Sequence, residues 1–305
     1  MKKDDHSLSA KQHEYVRRHA HLLLSKASAY NRFPTPVDDL IAAAELEVER
    51  DITLDATFLG RLYKQIREPI RWAEYQVKKA VDKVQGLLWR EERRILLDSG
   101  LYPARRTFIS LHEVGHDFLP DQRATFAIVE DSESELDPET KDLFERQASV
   151  FASKVLFQLG TFDRDAADCN FGLRTPIDLS KRCGASVYAS ARRYVQNQIN
   201  PCALIVFNAP VEEVGVGTTV ELRRAFQSPS FTQRFGQIQW PEKCGPGSFF
   251  VEKLPRNTFS KPFTCQLTNI ASQSEECLAE VFMAKRYQVL FLIYPADIVS
   301  RSLAV

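Results

Sequence analysis

Apolar positions along the chain recur first at helical spacing and later in short continuous runs, and the change between the two patterns comes near residue 200. Residues 1–30 are polar and charged with a sparse apolar stripe, which predicts an N-terminal helical extension. Asn31-Arg32-Phe33-Pro34-Thr35-Pro36 interrupts it. Thr35 is expected to cap a helix with Pro36 at its first position and Val37, Leu40, Ile41 and Ala44 within it. A longer helical stretch is expected from about Ala56 to Val84, broken or kinked near Pro69. Val84 to Trp89 and Arg94 to Leu97 read as short strands. Gly100 to Pro103 reads as a turn, and Pro103 opens a helix that runs to Phe118.

Pro120 to Asp137 is acidic and reads as irregular. Within it, Ala124 to Val129 is expected to form an edge strand, either an ordinary one or one that pairs with an extended peptide. Asp137-Pro138 is a strong helix start: Asp caps, Pro takes the first position, and Glu139 complements the first turn. Phe144, Ala148, Phe151, Val155 and Leu159 form one stripe of that helix, which is expected to end at Gly160. Two helical pieces follow, Pro176 to Cys183 and Ser186 to Gln198, with Gly184 between them. Ala203 to Phe207 and Tyr287 to Tyr294 then read as buried strands. The expected fold class is α+β. Residues 31–200 form a mostly helical domain with a small sheet and a helix-turn-helix-like end, and residues 201–305 a smaller α/β domain.

Composition narrows the function. Of 305 residues, 44% are hydrophobic, enough for a sizeable core. Lys plus Arg and Asp plus Glu number 40 each, so no general field attracts a polyanion. The first residues lack the apolar stretch of a secretory signal, and Val289 to Tyr294 is too short to span a bilayer, so a cytoplasmic protein without membrane contact is expected. The six cysteines form no C-x-x-C pair and are expected to be reduced thiols.

His112-Glu113-Val114-Gly115-His116 fits H-E-x-x-H. On a helix, residues four apart share a face, so the two imidazoles can hold one tetrahedral ion with its fourth position open to water. Glu113 then stands beside that position as the general base. The competing reading is two histidines at the edge of an ordinary amphipathic helix. A third ligand is needed, and Leu119 and Gln122 occupy the places where a metzincin carries Gly and His. No His follows His116, which leaves a carboxylate or a Cys. Glu145 lies on a regular helix with small neighbours Ala148, Ser149 and Ala152, so another helix can approach it; its alternative is a surface ion pair. The expected set is His112, His116 and Glu145 around Zn2+, with manganese or another divalent ion also compatible.

These residues resemble the ImmA/IrrE family of metallopeptidases. The run Arg105-Arg106-Thr107-Phe108 leading to His112-Glu113-Val114-Gly115-His116 is similar to that family's motif. So is the helix from Glu145 to Gln158, in which Glu145, Ala148, Phe151, Ala152 and Leu156 match. Ser149 stands where Asn is usual, and Phe157-Gln158 replaces a closing Met-Pro. The likeness extends over roughly residues 30–198. It implies a zincin-like, cytosolic, site-specific endopeptidase of bacteria or their mobile elements, whose partner is a helix-turn-helix repressor that it cleaves. It also implies, in some members, a sensor-like C-terminal domain of GAF type.

Tyr188, Arg192 and Arg146 are candidate oxyanion or substrate contacts, none singled out by spacing. Asp117 is either a partner behind the metal ligands or a helix-end charge. Lys181, Arg182, Arg192 and Arg193 form a basic cluster that reads better as a solvated face than as a DNA contact. The rival function is a non-catalytic regulator that binds a repressor or DNA and carries a structural zinc site; a third is an effector with broader proteolysis. The oligomeric state is not legible.

Overall fold

The computed structural model describes residues 7–55, 57–58, 85–132, 136–284 and 287–298. The helix expected over 56–84 lies almost wholly outside the described residues. By contact the chain divides into two compact units: Met1–Phe162 with Lys181–Ser186, and Asp163–Ser180 with Val187–Val305. The boundary expected near residue 200 falls inside the second unit.

In the first unit, helix α1 (Ala10–Lys26) starts at a capping box between Ser9 and Gln12 and buries Val16, Ala20, Leu23 and Leu24. Helix α2 (Val37–Ala43) differs from expectation at its start. Thr35 does not cap it: its hydroxyl donates to the Leu156 carbonyl at 2.8 Å, and Pro36 takes the cap position instead. A three-stranded sheet follows in the order β1-β3-β2: β1 (Glu47–Ile52), β2 (Gly86–Trp89) and β3 (Arg94–Asp98). β3 lies in the centre with Ile95, Leu96 and Leu97 buried. β1 pairs with it in parallel and β2 antiparallel. β1 is invisible to hydropathy because four of its six residues are charged and only Ile52 is buried.

Helix α3 (Pro103–Phe118) has Pro at its start, as expected. Leu119 is extended and ends it, and the chain enters helix α4 (Pro120–Ser132) at once. The edge strand expected over Ala124 to Val129 is therefore wrong: those residues are helical. Pro120 and the Arg123 N–H bonded to Leu119 C=O set the first turn, and local helix formation overrides the strand propensity of Thr125 to Val129.

Helix α5 (Pro138–Leu156) is capped by Asp137, whose side chain accepts from Glu139 and Thr140 N–H. It stops at Leu156 rather than Gly160, because Gln158 and Leu159 turn to φ of 47° and 55°. The Gln158 amide then binds Asn31 N–H at 2.7 Å and Arg32 C=O at 2.8 Å. Helices α6 (Thr161–Ala167), α7 (Arg174–Cys183) and α8 (Val187–Gln196) follow.

In the second unit the strands are β4 (Ala203–Asn208), β5 (Val211–Glu213), β6 (Gly217–Gln227), β7 (Lys243–Cys244), β8 (Phe263–Thr268), β9 (Ser274–Ala284) and β10 (Gln288–Pro295). Two short helices, α9 (Pro229–Phe235) and α10 (Phe249–Glu252), lie among them. The sheet order is β5-β6-β4-β10-β9-β8, with β7 on β6, and its pairings are antiparallel. Ala203, Ile205 and Phe207 join Val289, Phe291 and Ile293 in one core with Phe231 and Phe250. The alternate residues Leu204, Val206, Leu290 and Leu292 are buried too, so β4 and β10 are covered on both faces. That double burial explains why these two read as continuous apolar runs. None of the six cysteines forms a disulfide. No helix among the described residues is long and apolar enough to cross a membrane.

Candidate metal centre

Helix α3 packs on α5 on one side and on strand β2 on another. Ile109, Leu111, Val114 and Gly115 are buried between them, and His112 and His116 lie one turn apart beside that stripe. Their Nε2 atoms are 3.1 Å apart. The Glu145 carboxylate of α5 reaches them both, with Oε2 3.3 Å from His112 Nε2 and Oε1 3.7 Å from His116 Nε2. The three donor atoms lie within 4.8 Å of one another, and no other group of three such side chains gathers among the described residues. Two nitrogens on a tetrahedral zinc stand about 3.3 Å apart, so the donor set and its spacing suit that ion.

The outer nitrogens are held as well. His116 Nδ1 lies 2.8 Å from Gln122 Oε1, and His112 Nδ1 3.3 Å from Ser149 Oγ. Both rings thus turn Nε2 toward the centre. Ser149, the departure from the family's Asn, retains a polar atom at this point.

Electrostatics fit a pre-formed site. Burial, then the neighbouring Glu145, pushes the Glu113 carboxyl up to about 7, against the pull of His112, Arg90 and the Leu88 N–H. Burial and the charge of His112 hold His116 below its ordinary value, which keeps its lone pair available. Burial alone would raise Glu145, but the hydrogen bond with His112 and the charges of both histidines bring it well below the carboxylate range. Burial would lower His112, yet Glu145 and Glu113 raise it. A metal ion would take the place of the proton that His112 and Glu145 share.

Glu113 sits against β2. The Leu88 backbone N–H reaches its carboxylate. A side chain on Gly86 would meet Ile109 at 2.3 Å and the Glu113 carboxylate at 3.5 Å, so only glycine allows this approach. The Asp98 N–H donates to Gln85 C=O, which makes that pair hydrogen-bonded. By alternation Gly86 and Leu88 turn their backbone groups away from β3. Among the described residues no strand pairs with that outer edge.

Sequence reasoning missed three residues here. Arg90 donates to the His116 carbonyl at 3.4 Å and lies 4.2 Å over the Phe126 ring. Gln122 and Gln147 stand behind His116. Arg90 follows β2 in a turn, and Gln122 lies in the stretch read as irregular, so neither carried a periodic signal.

The other expected residues have different surroundings. Arg146 pairs with Asp142 at 3.3 Å and donates to Ser7 at 3.2 Å. Tyr188 and Arg192 belong to the second unit, where both lie against Phe226 of β6. Asp117 is buried in an ion pair with Arg93 at 2.6 Å, and Arg93 also donates to Ala44 C=O. It thus ties α3 to the end of α2 and does not face the metal ligands. Arg182 lies over Phe33, and Arg193 pairs with Asp163 at 2.7 Å, so the basic cluster is engaged in packing.

A family model described as the IrrE N-terminal-like domain, a peptidase family, matches residues 76–194. The matched segment contains the motif that resembles the ImmA/IrrE family, and its similarity is to a metallopeptidase-like domain. A search of curated proteins returns no significant match. Among solved structures, a Mycobacterium tuberculosis transcriptional regulator is similar at a TM-score of 0.51 and 12% identity, covering 95% of this chain and 82% of that one. At that identity the likeness is one of fold.

Proposed function

We propose that the protein is a zinc-dependent endopeptidase that cleaves a regulatory protein, such as a helix-turn-helix repressor. The observation that carries this reading is the convergence of His112, His116 and Glu145 with Glu113 beside a strand edge that no other strand pairs with among the described residues. A zinc ion held by the three ligands would supply a Lewis acid that polarises a peptide carbonyl and acidifies a water. Glu113 accepts the proton of the attacking water and returns it to the leaving amine. The outward N–H and C=O of Gly86 and the outward C=O of Leu88 bind the substrate as an added antiparallel strand, the role first expected of Ala124 to Val129, while the Leu88 N–H stays on Glu113. Arg90, already on the His116 carbonyl, is the cation best placed to receive the substrate oxygen.

The likeness of fold to a transcriptional regulator supports a role in gene control. Residues 201–305 then serve as a sensor-like domain of GAF type, as the family resemblance implies. Packing contacts of Arg182, Arg192 and Arg193 favour a protein partner over direct DNA binding. A cytoplasmic location fits these partners.

The test is elemental analysis of the purified protein, beside His112→Ala, Glu145→Ala and Glu113→Gln variants. About one zinc per chain is expected in wild type and in Glu113→Gln, and none in the other two. Glu113→Gln should lose cleavage of a co-expressed repressor. Unaltered repressor processing in Glu113→Gln would favour instead a non-catalytic regulator with a structural zinc.

A further inference from the structure

We infer that Gln122, backed by Gln147, is the positioning residue that sets the tautomer and ring orientation of His116 for the metal. This rests on the metal-peptidase reading and extends it. Gln122 is completely buried. Its Oε1 lies 2.8 Å from His116 Nδ1, and its Nε2 donates to Phe144 C=O at 3.2 Å and to Gln147 Oε1 at 2.9 Å. The Phe144 carbonyl can only accept, so it decides which way the Gln122 amide points. A flipped amide would set oxygen against oxygen there. Oε1 therefore faces His116, and an amide oxygen only accepts, so Nδ1 carries the proton. Nε2 is left with its lone pair, 3.1 Å from His112 Nε2 and 3.7 Å from the Glu145 carboxylate.

The arrangement also links the ligand-bearing helices. Phe144 and Gln147 lie on α5 on either side of Glu145, while Gln122 lies in the first turns of α4, directly after α3. One amide thus references His116 to the helix that carries the third ligand. His112 has a weaker device. Ser149 is a hydroxyl at 3.3 Å that can donate or accept, so it does not choose a tautomer.

The experiment is a zinc competition titration with a chromophoric chelator on the full-length protein, with the visible spectrum of the Co2+-substituted form as a second readout. Gln122→Met keeps the volume and removes the acceptor. It should weaken zinc 10- to 100-fold and change the Co2+ spectrum. Gln122→Glu, with its buried carboxyl protonated on the oxygen that faces the Phe144 carbonyl, keeps both the acceptor and that anchor and should bind within a few-fold of wild type. Gln147→Met leaves the Phe144 anchor in place, should fall between the two, and carries the test if Gln122→Met does not fold. Wild-type affinity in both methionine variants, with one zinc in wild type, would overturn the positioning role and leave the metal reading intact. Equal losses in Gln122→Met and Gln122→Glu would assign the effect to packing and overturn it too. Absence of zinc from wild type would instead remove the metal reading on which the inference stands.

Discussion

A methyl group on Gly115 would stand 3.2 Å from the Cα of Ala148, so α3 and α5 touch nearly backbone to backbone one residue before His116 and one turn after Glu145. The spacing of His112, His116 and Glu145 depends on that contact. Gly115→Val adds atoms against the Ala148 backbone and the Phe151 ring. It should cost about 1–3 kcal/mol by thermal unfolding. It should also move Glu145 away from the histidine pair, so zinc affinity by chelator competition falls more than the lost stability requires.

Glu113, the proposed base, also carries a stability signature. Its carboxyl is raised from 4.5 to about 7 in the folded chain. The folded state therefore binds the proton more tightly than the unfolded one, and this contribution to stability is present below about pH 4.5 and is lost as pH rises through about 7. In metal-free protein Glu113→Gln should be more stable than wild type at neutral pH, by up to about 3 kcal/mol for a shift of this size. The difference should shrink toward pH 4. Melting temperatures from pH 4 to 8 check the sign, while cleavage is abolished throughout.

Zinc binding should weaken on acidification. Glu145 and Glu113 raise the pKa of His112, so a proton competes directly with the ion at its Nε2. Where one proton is displaced per ion, affinity should drop about tenfold per pH unit below the His112 pKa. Isothermal titration in buffers of different ionisation enthalpy should show proton release, which Glu145→Gln should reduce.

The buried pair of Asp117 with Arg93 holds α3 to the end of α2. Asp117→Ala leaves a partly buried guanidinium without its carboxylate and should destabilise by about 2–3 kcal/mol. Zinc affinity should change little, because Asp117 does not touch the ligands. A large loss of zinc with unchanged stability would contradict this assignment.

Much of the site could be read along the chain because its information is local. Four-residue spacing on a helix puts His112 and His116 on one face, whatever the surroundings. Asp137-Pro138 started α5 where expected, and the small residues beside Glu145 marked the face that meets α3. β4 and β10 were legible because both faces of each are buried, which leaves no polar alternation. β1 was not, since four of its six residues are charged and only Ile52 is buried, while Glu47 and Glu49 pair with Arg94 of the neighbouring strand.

What sequence alone determined is thus the candidate metal pair, the glutamate proposed as base, and the helices that carry them. The tertiary structure decided what depends on separate segments meeting. It brought Gln122 and Gln147 behind His116, set Arg90 on the His116 carbonyl, and laid β2 rather than residues 124–129 beside Glu113. Hydrogen bonds from side chains and strand edges have no period in sequence; they arise only once packing has chosen which segments are neighbours.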